Sequence, residues 1–174
     1  MTDSAEVQVS DGTEGDLEEL TDLYNHYVRV SPVTFDIEPF TPAERRPWLL
    51  SHSGDGPHRL LVARRTGSVV PGRLLGYAHS GRFRPKPAYD TSVECSVYVA
   101  PRAAGQGTGT LLYKQLFERL DGLDLHRAYA GITVPNEPSV RLHQRFGFEL
   151  CGTYHEAGRK FGRFHDVERF EKPL

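Results

Sequence analysis

The sequence has little cysteine, with two residues, Cys95 and Cys151, in a chain of 174. Two cysteines are too few for the disulfide framework of a small secreted domain, and both stand in apolar runs. This placement predicts buried free thiols in a reducing compartment. The eight histidines lack the close pairs or the His/Cys spacings that mark zinc sites, so no metal is expected.

An excess of charge of one sign is missing, and so is any long hydrophobic run. The formal net charge is −2 and the sequence pI is about 6.4, which argues against nucleic acid as an electrostatic partner. No stretch approaches the roughly 18 apolar residues of a membrane span, and the polar residues 1–12 lack the features of a signal peptide. We therefore expect a cytoplasmic protein with no membrane partner, and one domain spanning residues 1–174.

Apolar periodicity and turn residues divide the chain into strands and helices. Strands are predicted near residues 7–9, 59–65, 73–82, 91–99, 128–134, 148–155 and 164–171, with an antiparallel hairpin across 66–72. Helices are predicted to start at the cap Thr13, at the capping box of Thr41 and Glu44, near Gly107 and near Asn136. The result is a single α/β domain whose mixed, largely antiparallel central sheet is flanked by about four helices.

The most informative stretch runs from Val99 to Tyr113, where an extended apolar segment passes through a glycine-rich turn into a helical pattern. Gly105, Gly107 and Gly109 let the backbone approach an anion, and the following helix offers unpaired N–H groups and the positive end of its dipole. The spacing fits neither a P-loop nor a dinucleotide-binding fingerprint. The pattern predicts a pyrophosphate cradle, and an ordinary surface turn is the alternative.

Glu94 is the candidate general base. Alternation in the strand 91–99 places Val93, Cys95, Val97 and Val99 on one face, and puts Glu94 on the other. A carboxylate in the middle of a central strand, shortly before an anion cradle, can act as a general base. A solvated glutamate, or one paired with an arginine, is the alternative.

The segment 136–143 holds two further candidates. Asn136 to Ser139 is typical of a helix start whose side chains and N–H groups face a ligand, with ordinary capping as the alternative. His143 lies in the same predicted helix, where a hydrogen-bonded packing histidine is the commoner role than a catalytic one.

Three motifs follow one another along the chain: the strand 93–101, the glycine turn with Leu111-Leu112-Tyr113, and the segment 136–143 followed by Phe146-Gly147-Phe148. In this order they resemble the GCN5-related N-acetyltransferase superfamily, and within it the phosphinothricin acetyltransferase group. The similarity runs from about Tyr24 to residue 174.

The resemblance implies acetyl-CoA as co-substrate, a small amino acid analogue such as phosphinothricin or methionine sulfone or sulfoximine as acceptor, and a homodimer. It implies Glu94 as general base and His143 as a second catalytic position. Cofactor contacts are implied for Val97, Tyr98, Val99, Gly105, Gln106, Gly107, Thr108, Gly109, Thr110, Asn136 and Ser139. Acceptor contacts are implied for Phe35, Arg84, Lys86 and Tyr89, whereas Tyr24 and Tyr27 are expected in the core.

The sequence also departs from the pattern of this family. Ala104 stands where the superfamily turn usually begins with glutamine or arginine, which removes a side-chain contact to the phosphates. Arg84 and Lys86 stand where the herbicide-acetylating enzymes carry lysine and arginine. Positive charge is kept at both positions, but the planar guanidinium stands at the first of them instead of the second. Two alternatives therefore stay open: acetylation of another amine, such as a peptide amino terminus, a polyamine or an aminoglycoside, and a non-catalytic acyl-CoA sensor.

Overall fold

A seven-stranded sheet is the frame of the fold in this computed structural model, which describes residues 6–66 and 73–174. Its strands are β1 (Val7–Asp11), β2 (Leu60–Arg65), β3 (Gly76–Arg82), β4 (Ser92–Val99), β5 (Arg127–Val134), β6 (Glu149–Lys160) and β7 (Arg163–Pro173). The order across the sheet is β1-β2-β3-β4-β5-β7-β6. Among these described strands β4 and β5 are the one parallel pair, so the predicted mixed, largely antiparallel sheet is confirmed.

Helices cover both faces of the sheet. Within the described ranges they are α1 (Leu17–Val30), α2 (Pro42–Leu50), α3 (Thr108–Leu120) and α4 (Glu137–Arg145). Apolar residues of α3 and α4 pack on one face with Val93 and Cys95 of β4. Those of α1 and α2 pack on the other face, against Tyr98. The alternation predicted for β4 therefore separates two cores, because successive side chains leave a strand in opposite directions.

The helix starts follow local capping chemistry. At α2, the Thr41 N–H donates to Glu44 Oε2 at 2.7 Å, and the Glu44 N–H donates to Thr41 Oγ1 at 3.3 Å, which confirms the predicted capping box. Thr13 caps a 3₁₀ turn over Glu14–Asp16, so the α-helix predicted from Thr13 begins only at Leu17.

Three strands, β3, β6 and β7, differ most from their predicted bounds. β3 begins at Gly76 rather than at residue 73, and most of the predicted hairpin turn, 67–72, lies outside the described residues. β6 and β7 are longer than predicted and meet at Phe161-Gly162. The register between them shifts at Leu150/Gly152 and at Tyr154/Gly158, and such bulges interrupt the alternation by which a strand is recognised.

The prediction of two buried thiols holds for Cys95 and is wrong for Cys151. Both are free, but Cys151 is exposed because it lies on β6, an edge strand with mostly exposed side chains. In residues 6–66 and 73–174, no helix is long and apolar enough to cross a membrane. The same residues form no group of three or more His, Cys, Asp or Glu placed to hold a metal ion.

Candidate active site

The site begins where β4 and β5 separate. The two strands pair at Ser92/Arg127, Val93/Ala128 and Glu94/Tyr129, and no further pairing joins the described parts of these strands. Both nevertheless continue, β4 to Val99 and β5 to Val134. A cavity of about 660 Å³ lies there, lined by both strands, the glycine turn and α4. The facing edges keep N–H and C=O groups free for an extended ligand.

The glycine turn closes one end of this cavity. Gly105 and Gly107 have φ of +72° and +82°, a region that L side chains rarely adopt, and Gly107 is the N-cap of α3. Within the described residues, the N–H groups of Gly105 and of residues 107–110 have no hydrogen-bond partner, and the first helical bond runs from Leu111 N–H to Gly107 O. Free donors and the positive end of a helix dipole are the features on which the predicted anion site depends.

Arg145 is a cation of this site that the sequence analysis missed. Its Nη1 donates to Thr110 Oγ1 at 3.3 Å, and the residue lines the cavity together with Arg141. The turn itself begins at Ala104, which carries no polar side chain. The sequence does contain a signal for Arg145. It lies four residues after Arg141 in a helix predicted to face the ligand, and residues four apart share one face of a helix.

Asn136 and Ser139 both line the cavity at the start of α4. Asn136 Oδ1 accepts from the Ser139 N–H at 3.3 Å, so the side chain caps the helix. The capping role weighed from the sequence is therefore present, and it places both residues at the cavity wall.

Glu94 belongs to the last pair of β4 and β5, next to Cys95, which lines the cavity, and is not itself among the lining residues. Its Oε1 accepts from Arg169 Nη1 at 2.8 Å, and its side chain is 33% exposed. Arg169 reaches Glu94 from β7 across Gly131 of β5, where a Cβ would lie 2.5 Å from Arg169 Nη1. Glu94 is thus paired with an arginine, which was one of the alternatives weighed from the sequence. Its other oxygen, Oε2, has no partner among the described residues.

His143 is buried among aromatic rings. Its Nε2 is 2.8 Å from the Tyr113 hydroxyl and its Nδ1 is 2.8 Å from the Ser139 carbonyl oxygen. Burial lowers the pKa of His143, which the hydrogen bond to Ser139 partly opposes. Both ring nitrogens are therefore engaged inside the protein, in the packing arrangement that the sequence analysis weighed against catalysis.

The four predicted acceptor residues, Phe35, Arg84, Lys86 and Tyr89, do not line this cavity. Arg84 stacks on its neighbour Phe83, with Cζ 4.6 Å from the ring centre, and Tyr89 is exposed.

The loop that carries Arg84, Lys86 and Tyr89 lies at the Glu94 end of β4. Phe83 stacks at 4.0 Å on Tyr129, the strand partner of Glu94. On the other side of the sheet, Tyr24 is buried as expected. Tyr27 also lines the cavity, and its hydroxyl donates to the Val99 carbonyl at 2.5 Å, a role that the core assignment missed.

Comparison with known proteins identifies the family. The model of the acetyltransferase (GNAT) family matches residues 20–148. The chain is 63% identical to the phosphinothricin N-acetyltransferase of Streptomyces coelicolor over 174 residues, the full length of both. It is 35% identical to the L-methionine sulfoximine/L-methionine sulfone acetyltransferase of Pseudomonas aeruginosa over 159 residues, which cover 91% of this chain and 90% of that protein.

A solved structure gives the same result. The phosphinothricin acetyltransferase of Sinorhizobium meliloti, crystallised with acetyl-CoA, superposes with a TM-score of 0.89 at 31% identity, covering 97% of this chain and 88% of that one. The superfamily fold expected from the sequence is therefore confirmed. The chain belongs to the GNAT family and is an acetyl-CoA-dependent N-acetyltransferase.

Proposed function

We propose that this enzyme transfers the acetyl group of acetyl-CoA to the α-amine of a small amino acid analogue, with phosphinothricin and methionine sulfone or sulfoximine as acceptors. The names of two relatives, at 63% and 35% identity, support this substrate class. The observation that carries the mechanism is the position of Glu94, a carboxylate with one free oxygen where β4 and β5 separate.

The parted strands and the glycine turn supply the contacts for acetyl-CoA. The free amides of Gly105 and of residues 107–110 hold the pyrophosphate, with Arg145 as an additional cation. The open edge of β4 over Val97–Val99 pairs with the pantetheine arm, and Asn136 and Ser139 border it. Acetyl-CoA supplies an acetyl group activated as a thioester.

Glu94 performs the proton transfer that the reaction needs. An α-ammonium cannot attack until it loses a proton, which Glu94 Oε2 accepts directly or through water. The amine nitrogen then forms a bond to the acetyl carbon and the carbon–sulfur bond breaks. The nitrogen loses a second proton to give the amide, and the departing thiolate takes up one proton, so coenzyme A leaves as the thiol. A free N–H of the β4 edge polarises the carbonyl as negative charge develops. His143 enters this proposal as the second catalytic position that the resemblance implies.

The substrate class is tested by measuring thiol release from acetyl-CoA with phosphinothricin, methionine sulfone, methionine sulfoximine and ordinary amino acids. We expect turnover with at least one of the first three. Spermidine, an aminoglycoside and a short peptide cover the other amines. Turnover with these alone would overturn the proposed acceptor, and acetyl-CoA binding in calorimetry without any turnover would favour a sensor.

Glu94→Gln tests the base. We expect the turnover number to fall by about 100-fold or more, because the amide cannot accept the proton. The dissociation constant for acetyl-CoA should stay unchanged, since the glycine turn is untouched. Wild-type turnover in this variant would remove Glu94 from the mechanism.

A homodimer is the proposed assembly. Four large apolar side chains are exposed on the hairpin of β6 and β7, namely Leu150, Tyr154, Phe161 and Phe164. Leu150 and Phe164 also line a second cavity of about 640 Å³ beside α4. A patch of this kind is typical of a protein interface. Sedimentation velocity should give twice the mass of the chain, and Phe164→Glu should shift the equilibrium toward the monomer.

A further inference from the structure

Lys160 is a buried cation that the mechanism does not use. It ends β6, its residue exposure is 5%, and its Nζ donates to two backbone carbonyls, Ser31 at 2.9 Å and Thr34 at 2.8 Å. Both carbonyls belong to the irregular loop 31–41 between α1 and α2, more than 120 residues away along the chain. A buried ammonium is costly unless its protons are bonded, so these two contacts hold the loop and the hairpin together.

Phe35 adds a second contact between the same two segments. A Cβ at residue 158 would lie 2.3 Å from Phe35 Cε2, so the ring occupies space that only a glycine leaves open. On the facing strand, the His165 ring is 6.3 Å from the Phe35 ring. The loop residue Phe35 is therefore seated on both strands of the hairpin, next to the anchor at Lys160.

The anchored loop is continuous with the active site. Val33, between the two carbonyls that Lys160 binds, lines the main cavity. The Tyr24 hydroxyl bonds Thr34 Oγ1 at 2.6 Å and donates to the Asp36 carboxylate. The Tyr24 ring packs edge-on at 5.5 Å against Tyr98, which also lines the cavity.

We propose that Lys160 is a positioning residue that fixes the loop 31–36 against the β6–β7 hairpin and thereby shapes the acceptor end of the active site. The proposal rests on the proposed function and on the acceptor contact at Phe35 that the family resemblance implies. Without the ammonium, the Ser31 and Thr34 carbonyls lose their partner and the loop opens to water. Acceptor binding must then order the loop first, whereas the glycine turn, on another part of the cavity, is unaffected.

Lys160→Met tests this, because methionine keeps the apolar stem and removes the three donors. We expect the KM for the acceptor to rise about tenfold, the effect of losing charge-assisted hydrogen bonds, with the KM for acetyl-CoA unchanged. Lys114→Met is the matched control, since Lys114 is an exposed lysine of α3. Equal KM values for the acceptor in Lys160→Met and the wild type, or equal rises in both KM values, would overturn the proposal.

Gly158→Ala is the second variant, because it displaces Phe35 while keeping Lys160, and we expect the same rise in the acceptor KM alone. Amide hydrogen exchange without acceptor gives a readout that does not depend on the substrate. We expect faster exchange at residues 31–36 in Lys160→Met and unchanged exchange in α3. Unchanged exchange in the loop overturns the inference even if the proposed function holds. Faster exchange in a protein that accepts none of the proposed substrates supports the loop anchor and overturns only the proposed function.

Discussion

At the scale of single residues, the position of Glu94 depends on a glycine in another strand. Arg169 can pair with Glu94 because Gly131, opposite it on β5, has no side chain. The guanidinium crosses the strand over this gap and ends 2.8 Å from the carboxylate. We infer that Arg169 fixes one oxygen of Glu94 and leaves the other for the proton.

Gly131→Ala tests this inference without changing any charge. The new Cβ would meet Arg169 Nη1 at 2.5 Å, so the ion pair must shift. We expect the turnover number to fall on the order of tenfold to 100-fold, because the proposed base, Glu94, would be displaced.

Gly152→Ala on β6 is the matched control, since a Cβ there has no atom within 4 Å. Steady-state rates of both variants, with Arg169→Met alongside, make the comparison. Equal rates for Gly131→Ala and Gly152→Ala would show that the Glu94–Arg169 pair does not matter for turnover.

His143→Gln separates a packing role from a catalytic one. Because both nitrogens of His143 are bonded within the protein, we expect its replacement to lower the free energy of unfolding by about 1–3 kcal/mol. The turnover number should fall by less than the roughly 100-fold that an acid or base contributes. Denaturant unfolding and steady-state kinetics measure the two effects.

Tyr113→Phe removes the same hydrogen bond from its other end and serves as the comparison. If His143 has a packing role, both variants should have a lower free energy of unfolding than the wild type. A large rate loss in His143→Gln that is absent from Tyr113→Phe would establish the catalytic position.

At the scale of elements, the proposed anion site depends on the start of α3. Gly107 enters the helix with a positive φ, which turns the free amides of the first helical turn toward the cavity. Thr108 is buried beneath them and Leu142 of α4 lies against Gly109, so the turn is held from two sides. We therefore expect the glycine turn to bind an anion without reorganising.

Gly107→Ala is expected to weaken acetyl-CoA binding. Alanine at φ +82° is strained by about 1–2 kcal/mol, so the turn shifts and the amides move. We expect the KM for acetyl-CoA to rise about tenfold, as 1.4 kcal/mol of lost binding would give.

Gly122→Ala is the control, because φ is +73° there, just beyond the end of α3 and away from the cavity. It should show a similar loss of stability with an unchanged KM. Parallel changes of KM in both variants would contradict the assignment of the turn.

At the scale of the whole molecule, the packing of α2 on the sheet places two half-buried histidines in an aromatic cluster outside the main cavity. Trp48 of α2 packs edge-on against His52 at 5.0 Å and against His79 of β3 at 5.4 Å. The two histidine rings face each other, with His52 Nε2 3.4 Å from His79 Nδ1. Burial lowers the pKa of His79 to about 3 and lowers the pKa of His52 as well.

The free energy of unfolding should therefore decrease as the pH is lowered. Between about pH 6.5 and pH 3 the unfolded chain protonates His79 while the folded protein does not, so the unfolded state binds more protons. The free energy of unfolding is then highest above pH 6.5. It should fall by up to roughly 1.4 kcal/mol per pH unit for such a histidine as the pH drops below that value.

Urea unfolding at a series of pH values measures this slope. His79→Gln should flatten it, and His155→Gln, at an exposed position on β6, serves as the control. An unchanged slope in His79→Gln would assign the acid sensitivity to other groups.

Much of the site was predictable because it lies in short, local patterns. The glycine turn, the alternation of β4 and the start of α4 are each encoded within about ten residues, and helix capping and strand geometry act over that distance. Arg145 and Tyr27 were missed because their partners, Thr110 and Val99, lie 35 and 72 residues away. For Tyr27 the sequence contains no signal of that contact, whereas for Arg145 the spacing of four residues from Arg141 on α4 was the available one.

The sequence by itself determined the order of the elements, the position of the glycine turn and the family. The pairing of Glu94 with Arg169, the burial of His143 and the anchoring of the loop 31–36 by Lys160 were decided only by the tertiary structure. Each of these joins residues from different strands or helices, and the register of β5 with β7 and the β6–β7 hairpin bring them together. Local propensity acts between neighbours in the chain, whereas desolvation and long side-chain contacts depend on what the folded sheet places beside them.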